Sequence, residues 1–97
     1  MIQMKPWMSD LKQNAARMLP EGFHLYLFGS QAHGMAKQGS DYDLGILGDR
    51  PCPPGLLSEL EEVGDAMPTL DKLDWVDLAR VTKSFRDEAM RHAIRLV

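Results

Sequence analysis

From Lys5 to Leu19 the apolar residues Trp7, Met8, Leu11, Ala15 and Met18 recur at spacings of three and four, with Lys12, Gln13 and Arg17 on the other side. That is the period of an amphipathic helix. Pro6 suits a first helical turn, Ser9 offers a cap for a slightly later start, and Pro20 with Gly22 ends the element. The pattern then changes. Phe23 to Phe28 is aromatic and aliphatic and bounded by glycine on both sides, which predicts a buried strand. Gly29-Ser30 turns the chain, and Gln31 to Ala36 leaves room for only a short helix before Lys37-Gln38-Gly39-Ser40 loops back.

Asp41 to Leu47 alternates. Asp41, Asp43, Gly45 and Leu47 fall on one face of a second strand and Tyr42, Leu44 and Ile46 on the other. The stretch Gly48 to Gly55 carries three prolines, fits neither a helix interior nor a central strand, and is the segment expected to be mobile. Leu56, Leu57, Leu60, Val63 and Met67 return to helical spacing up to Pro68, with Glu59, Glu61, Glu62 and Asp65 on a solvated face. Lys72 to Leu78 alternates again as a third strand. A last helix, capped by Thr82 or Ser84, carries Phe85, Ala89, Met90, Ala93, Ile94 and Val97 on its apolar stripe. Three strands separated by helices predict an α/β (α+β) layer architecture, with a small three-stranded mixed sheet, helices mainly on one face and the other face free for a ligand.

Composition narrows the picture. Ninety-seven residues, 44% hydrophobic and 26% charged, predict one folded domain over residues 1–97. A net charge of -3 and a pI near 5.5 argue against direct nucleic-acid binding through a broad basic face. Cys52 is the one cysteine, which excludes an intramolecular disulfide and a Cys-rich zinc site and agrees with a reducing compartment. No stretch approaches the roughly 20 apolar residues of a membrane span, and the first residues lack a signal-peptide core, so a cytoplasmic protein is expected. A chain of this size has little room for a separate substrate-selecting domain, so a large substrate would be presented by another polypeptide.

The candidate chemistry sits where the first strand meets the second. Asp41 and Asp43, two apart on a strand, project from one face with alpha carbons roughly 6.5 to 7 Å apart. Hard Mg²⁺ takes one or two such carboxylates and completes its shell with water and phosphate oxygens. Taken alone, an Asp-x-Asp pair is more often an exposed strand start. The preceding Gly29-Ser30 turn changes the balance, because glycine admits close backbone approach by a phosphate and the Ser30 hydroxyl adds a donor. A Walker-type loop is excluded by the absence of Gly-Lys-Ser or Gly-Lys-Thr. His24, alone in its strand, is a packed or edge residue.

Gly29-Ser30, ten intervening residues, then Asp41-Tyr42-Asp43 resembles the signature of the minimal nucleotidyltransferases of the DNA polymerase beta superfamily. The fuller runs, Phe28 to Ala36 and Ser40 to Ile46, resemble the small prokaryotic MntA-like antitoxins encoded beside HEPN-domain toxins. The likeness continues through Leu73 to Leu78 and Phe85-Arg86. It implies a third carboxylate on a later strand, and Asp74 is the matching position; periodicity by itself leaves Asp77, and even Asp71, open. It also implies that Asp41, Asp43 and Asp74 are catalytic and hold Mg²⁺, that Gly29 and Ser30 hold the phosphates of ATP, and that AMP passes to a hydroxyl, a tyrosine side chain, of a cognate HEPN ribonuclease toxin. Relatives commonly carry arginines after the Gly-Ser where this chain has Gln31 and His33, which leaves phosphate charge to be met by Lys37, Arg50, His33 or a partner. Two other functions compete: a binding antitoxin that neutralises a HEPN partner by forming a complex, and a nucleotidyltransferase acting on a small molecule.

Overall fold

The computed structural model describes residues 5–33 and 41–97, with only the backbone at His33. Helix α1 (Pro6–Met18) opens with Pro6 in its first turn, where a missing N–H costs nothing, and closes as Leu19 N donates to Ala15 O at 2.9 Å. Pro20 O then accepts from Phe23 N, and the chain enters β1 (His24–Phe28). A short helix α2 (Ser30–His33) follows, then β2 (Tyr42–Leu47), α3 (Leu56–Asp65), β3 (Leu73–Asp77) and α4 (Lys83–Met90). Two further residues, Ile94–Arg95, form β4.

These strands make one mixed sheet in the order β3-β2-β1-β4. β1 is antiparallel to β2, pairing His24 with Leu47 and Phe28 with Asp43. β2 and β3 are parallel, as the intervening α3 crossover requires, and Asp43 lies opposite Asp74. The sheet therefore has four strands where the sequence pattern predicts three. The error lies in the last helix, expected to run to Val97. Its N-cap is as predicted, with Thr82 Oγ1 accepting from Phe85 N at 3.1 Å, but it stops at Met90. Ile94 fits both a helical stripe and the alternation Ile94, Leu96. The free edge of β1 decides between them, because its backbone groups need partners. Leu27 and Tyr26 pair with Ile94 and Arg95, Leu96 N donates to Leu25 O at 2.7 Å, and Leu96 becomes buried.

The core lies between one face of the sheet and the helices α1 and α3. Trp7, Met8, Leu11 and Ala15 of α1 and Leu56 and Leu60 of α3 close on Leu25, Leu27, Tyr42, Leu44 and Ile46. Trp7 stands edge-on to Tyr42 at 5.2 Å and donates its indole N–H to Asp71 Oδ2. Burying seven large side chains of this layer essentially completely, at about 1.5–3 kcal/mol each, is the main force holding it. The other face carries Phe28, Asp43, Gly45 and Asp74, partly covered by Phe85 of α4, whose ring meets Phe28 edge-on at 6.1 Å. Gly45 is required there, since a Cβ would come within 2.5 Å of Leu78 Cδ1.

The proline-rich segment between β2 and α3 is tied down at several points. Cys52 is buried and its N–H donates to Asp77 Oδ2 at 3.0 Å, while the Arg50 guanidinium lies 4.6 Å from the centre of the Phe23 ring. Among the described residues no helix is long and apolar enough to cross a membrane.

Candidate active site

β1 delivers the chain to Gly29, whose φ of +75° is left-handed and strained for any residue with a Cβ. The glycine has a second reason. A Cβ here would run into the carboxylate of Asp43, meeting Oδ2 and approaching Cγ to 3.2 Å. The turn and the acid are thus one packed unit: the backbone of residue 29 lies directly against the Asp43 side chain. Ala32 N donates to Gly29 O at 3.1 Å, and α2 begins at Ser30.

On β2, Asp43 points away from the core while its neighbours Tyr42 and Leu44 are buried on the core side. The parallel register places Asp74 of β3 beside it on the same open face, at a strand separation of about 4.8 Å. Asp41 lies one residue ahead of β2, partly exposed. The proximity of these acids has an electrostatic consequence. Burial first, then the charges of Asp74 and Asp41, push the Asp43 carboxyl above its ordinary value of 3.8. A cation stands nearby: Lys72 Nζ is 3.8 Å from Asp41 Oδ2 and 4.0 Å from Asp74 Oδ1.

The other aspartates that periodicity left open occupy different places. Asp77 faces the opposite side of β3 and is 8% exposed; its carboxylate accepts from the N–H groups of Cys52 and Ala79 and from Arg80 Nε, all at 3.0–3.1 Å. It is neither solvated nor beside Asp43, but a clasp for the proline-rich segment and the turn after β3. Its charge also raises the neighbouring Cys52 thiol, after burial itself, to about 11. Asp71 accepts from Trp7 and lies 3.7 Å from Lys5 Nζ, on the α1 side. His24 is a half-buried residue at the start of the interior strand β1, its ring packed edge-on to Tyr26 and its Nδ1 3.2 Å from the Val97 carbonyl.

Of the cations considered for phosphate, Arg50 belongs to the far end of the hairpin. It follows Leu47, which pairs with His24, whereas the acids lie at the Phe28 end; there it pairs with Asp49 at 2.6 Å. Lys37 and the side chain of His33 lie outside the described residues. Lys72 escaped the sequence reading. Its signal was available, since a lysine two residues before Asp74 shares that residue's strand face, but which acid it meets depends on the β2–β3 register.

Among the described residues no three His, Cys, Asp or Glu side chains already converge as a metal cage. The donor set nevertheless fits a hard divalent ion. Three carboxylates lie near one another where β2 and β3 begin, two of them adding to the cost of ionising half-buried Asp43, and Mg²⁺ needs only one or two of them when phosphates supply the remainder.

The α+β sheet thus sets acids on adjacent strands, with a glycine turn packed against one of them. The chain belongs to the polymerase beta nucleotidyltransferase family, whose model matches residues 15–97. None of the curated proteins compared matches it. Solved structures share its fold at low identity. A chain of a toxin–antitoxin crystal structure with AMP-PNP superposes with a TM-score of 0.72 at 21% identity, covering 93% of this chain and 72% of that one. A mutant MntA-HpeT toxin–antitoxin gives 0.72 at 22%, covering 98% and 73%. A complex of tri-AMPylated Shewanella oneidensis HEPN toxin with MNT antitoxin gives 0.60 at 18%, covering 93% and 71%.

Proposed function

We propose that this protein is an antitoxin that transfers AMP from ATP to a hydroxyl, a tyrosine side chain, of a cognate HEPN ribonuclease toxin in the cytoplasm. The observation that carries the chemistry is the in-register pair Asp43 and Asp74, with Asp41 ahead of it and Gly29 packed against Asp43. The choice of acceptor is supported by the solved neighbours, one described as an AMPylated HEPN toxin with its MNT antitoxin and another as holding AMP-PNP.

Asp41, Asp43 and Asp74 would hold Mg²⁺, which when bound supplies charge neutralisation for the attacking and leaving oxygens of an in-line displacement. The chain's own groups do the rest. Gly29, lacking a Cβ, lets a phosphate lie against the backbone, and the Ser30 hydroxyl donates to it. Asp74, on the edge strand of the sheet, would accept the proton of the acceptor hydroxyl. The acceptor oxygen bonds to the α-phosphorus of ATP as the bond to the bridging oxygen of the β-phosphate breaks, and pyrophosphate leaves. The product is an AMP ester of the toxin.

Mixing the protein with its candidate HEPN partner, Mg²⁺ and ATP labelled at the α-phosphate tests this. Label is expected on the partner with wild type and not with the Asp41→Asn, Asp43→Asn double variant. A stable complex that gains no label would instead establish neutralisation by binding.

A further inference from the structure

Lys72 combines a fixed root with a loose head. Its carbonyl accepts from Tyr42 N at 2.9 Å, which anchors its backbone at the start of the β2–β3 ladder. Its side chain is 70% exposed, and its ammonium stands 3.8 and 4.0 Å from Asp41 and Asp74. Both distances lie beyond hydrogen-bonding range, in contrast to the 2.6 Å pair of Lys83 with Asp87 on α4. The ammonium is therefore held by charge alone, shared between two acids, and no hydrogen bond must break for it to leave. One acid leads into β2 and the other lies on β3, so the lysine spans the gap a divalent ion would enter.

We propose that Lys72 is a tethered gate cation: its ammonium stands between Asp41 and Asp74 in the ion-free protein and competes there with a free divalent ion. This inference rests on the reading of Asp41, Asp43 and Asp74 as ion ligands. An ion arriving on a triphosphate brings anionic oxygens to which the displaced ammonium can turn, whereas a free ion brings none. Lys72 thereby biases the protein toward loading ion and nucleotide together.

The test is titration of the full chain with Mn²⁺ alone, followed by electron paramagnetic resonance of the free ion. Lys72→Gln is expected to bind Mn²⁺ roughly two- to fivefold more tightly than wild type, the size of effect an exposed ion pair exerts. Lys72→Arg should retain the wild-type affinity, and Lys83→Gln, which removes the same charge from α4, should leave it unchanged. Asp43→Asn should weaken binding strongly. If Lys72→Gln binds no tighter than wild type while Asp43→Asn loses the ion, the gate is wrong and the carboxylate site stands. An equal gain in Lys83→Gln would reduce the effect to net charge and likewise overturn the gate. If Asp43→Asn leaves Mn²⁺ affinity unchanged, the carboxylate reading fails and takes the gate with it.

Discussion

Gly29→Ala is expected to damage both stability and transfer, and the structure supplies its control. Gly29 and Gly55 share a left-handed backbone, with φ of +75° and +85°. They differ in what a methyl group would meet: the Asp43 carboxylate at 29, nothing within 4 Å at 55. An alanine in the left-handed region costs about 1–2 kcal/mol, and the reduced freedom of the unfolded chain offsets about 0.4–1 kcal/mol of that at either site. Gly55→Ala should therefore lose about 1 kcal/mol. At 29 the forced displacement of Asp43 adds the overpacking cost of about 1–3 kcal/mol. Urea denaturation of the two variants in chelator reads the difference directly. Because the new methyl moves a proposed ligand, Gly29→Ala should also lose on the order of 100-fold in AMP transfer, the usual cost of a displacement near 1 Å. Placing Gly29→Ala on an Asp43→Ala background removes the obstructing carboxylate, so its stability cost should fall to that of Gly55→Ala. Equal costs for the two single variants, or strict additivity with Asp43→Ala, would refute the claim that the turn and the acid are one packed unit.

Other outcomes follow from the same cluster. Asp43 has a raised carboxyl pKa in the fold, so the native state binds the proton more tightly and wild type loses stability as pH rises from 3.8 through the raised value. Above that value the penalty is complete. Asp43→Asn, free of it, should melt higher than wild type at neutral pH without divalent ion, with the gap closing in acid; a gap largest in acid would contradict the assignment. Asp74→Asn should abolish transfer while barely changing the melting temperature. Asp77→Ala should instead cost stability, losing about 2–4 kcal/mol by denaturation because the buried Cys52 and half-buried Ala79 N–H groups lose their acceptor. Full activity in Asp74→Asn would remove that residue from the reaction.

Much of this protein is visible along the chain. The 3.6-residue stripe of α1, the turn at Gly29-Ser30 and the Asp41 to Leu47 alternation with Tyr42, Leu44 and Ile46 inward depend on neighbours in sequence, and each element formed where its pattern predicts. The spacing from Gly29 to Asp43 also carries the family resemblance. Tertiary structure decided what depends on pairing between strands. Ile94 to Leu96 became strand rather than helix because the edge of β1 needed hydrogen-bond partners, a demand written elsewhere in the chain. The parallel register set Asp74 beside Asp43 and turned Asp77 into the clasp for Cys52, although alternation alone allowed either acid. The same register brought Lys72 to Asp41 and Asp74. Local sequence determines which face a side chain occupies; which other side chains share that face is determined by strand pairing, because charge and packing act through space.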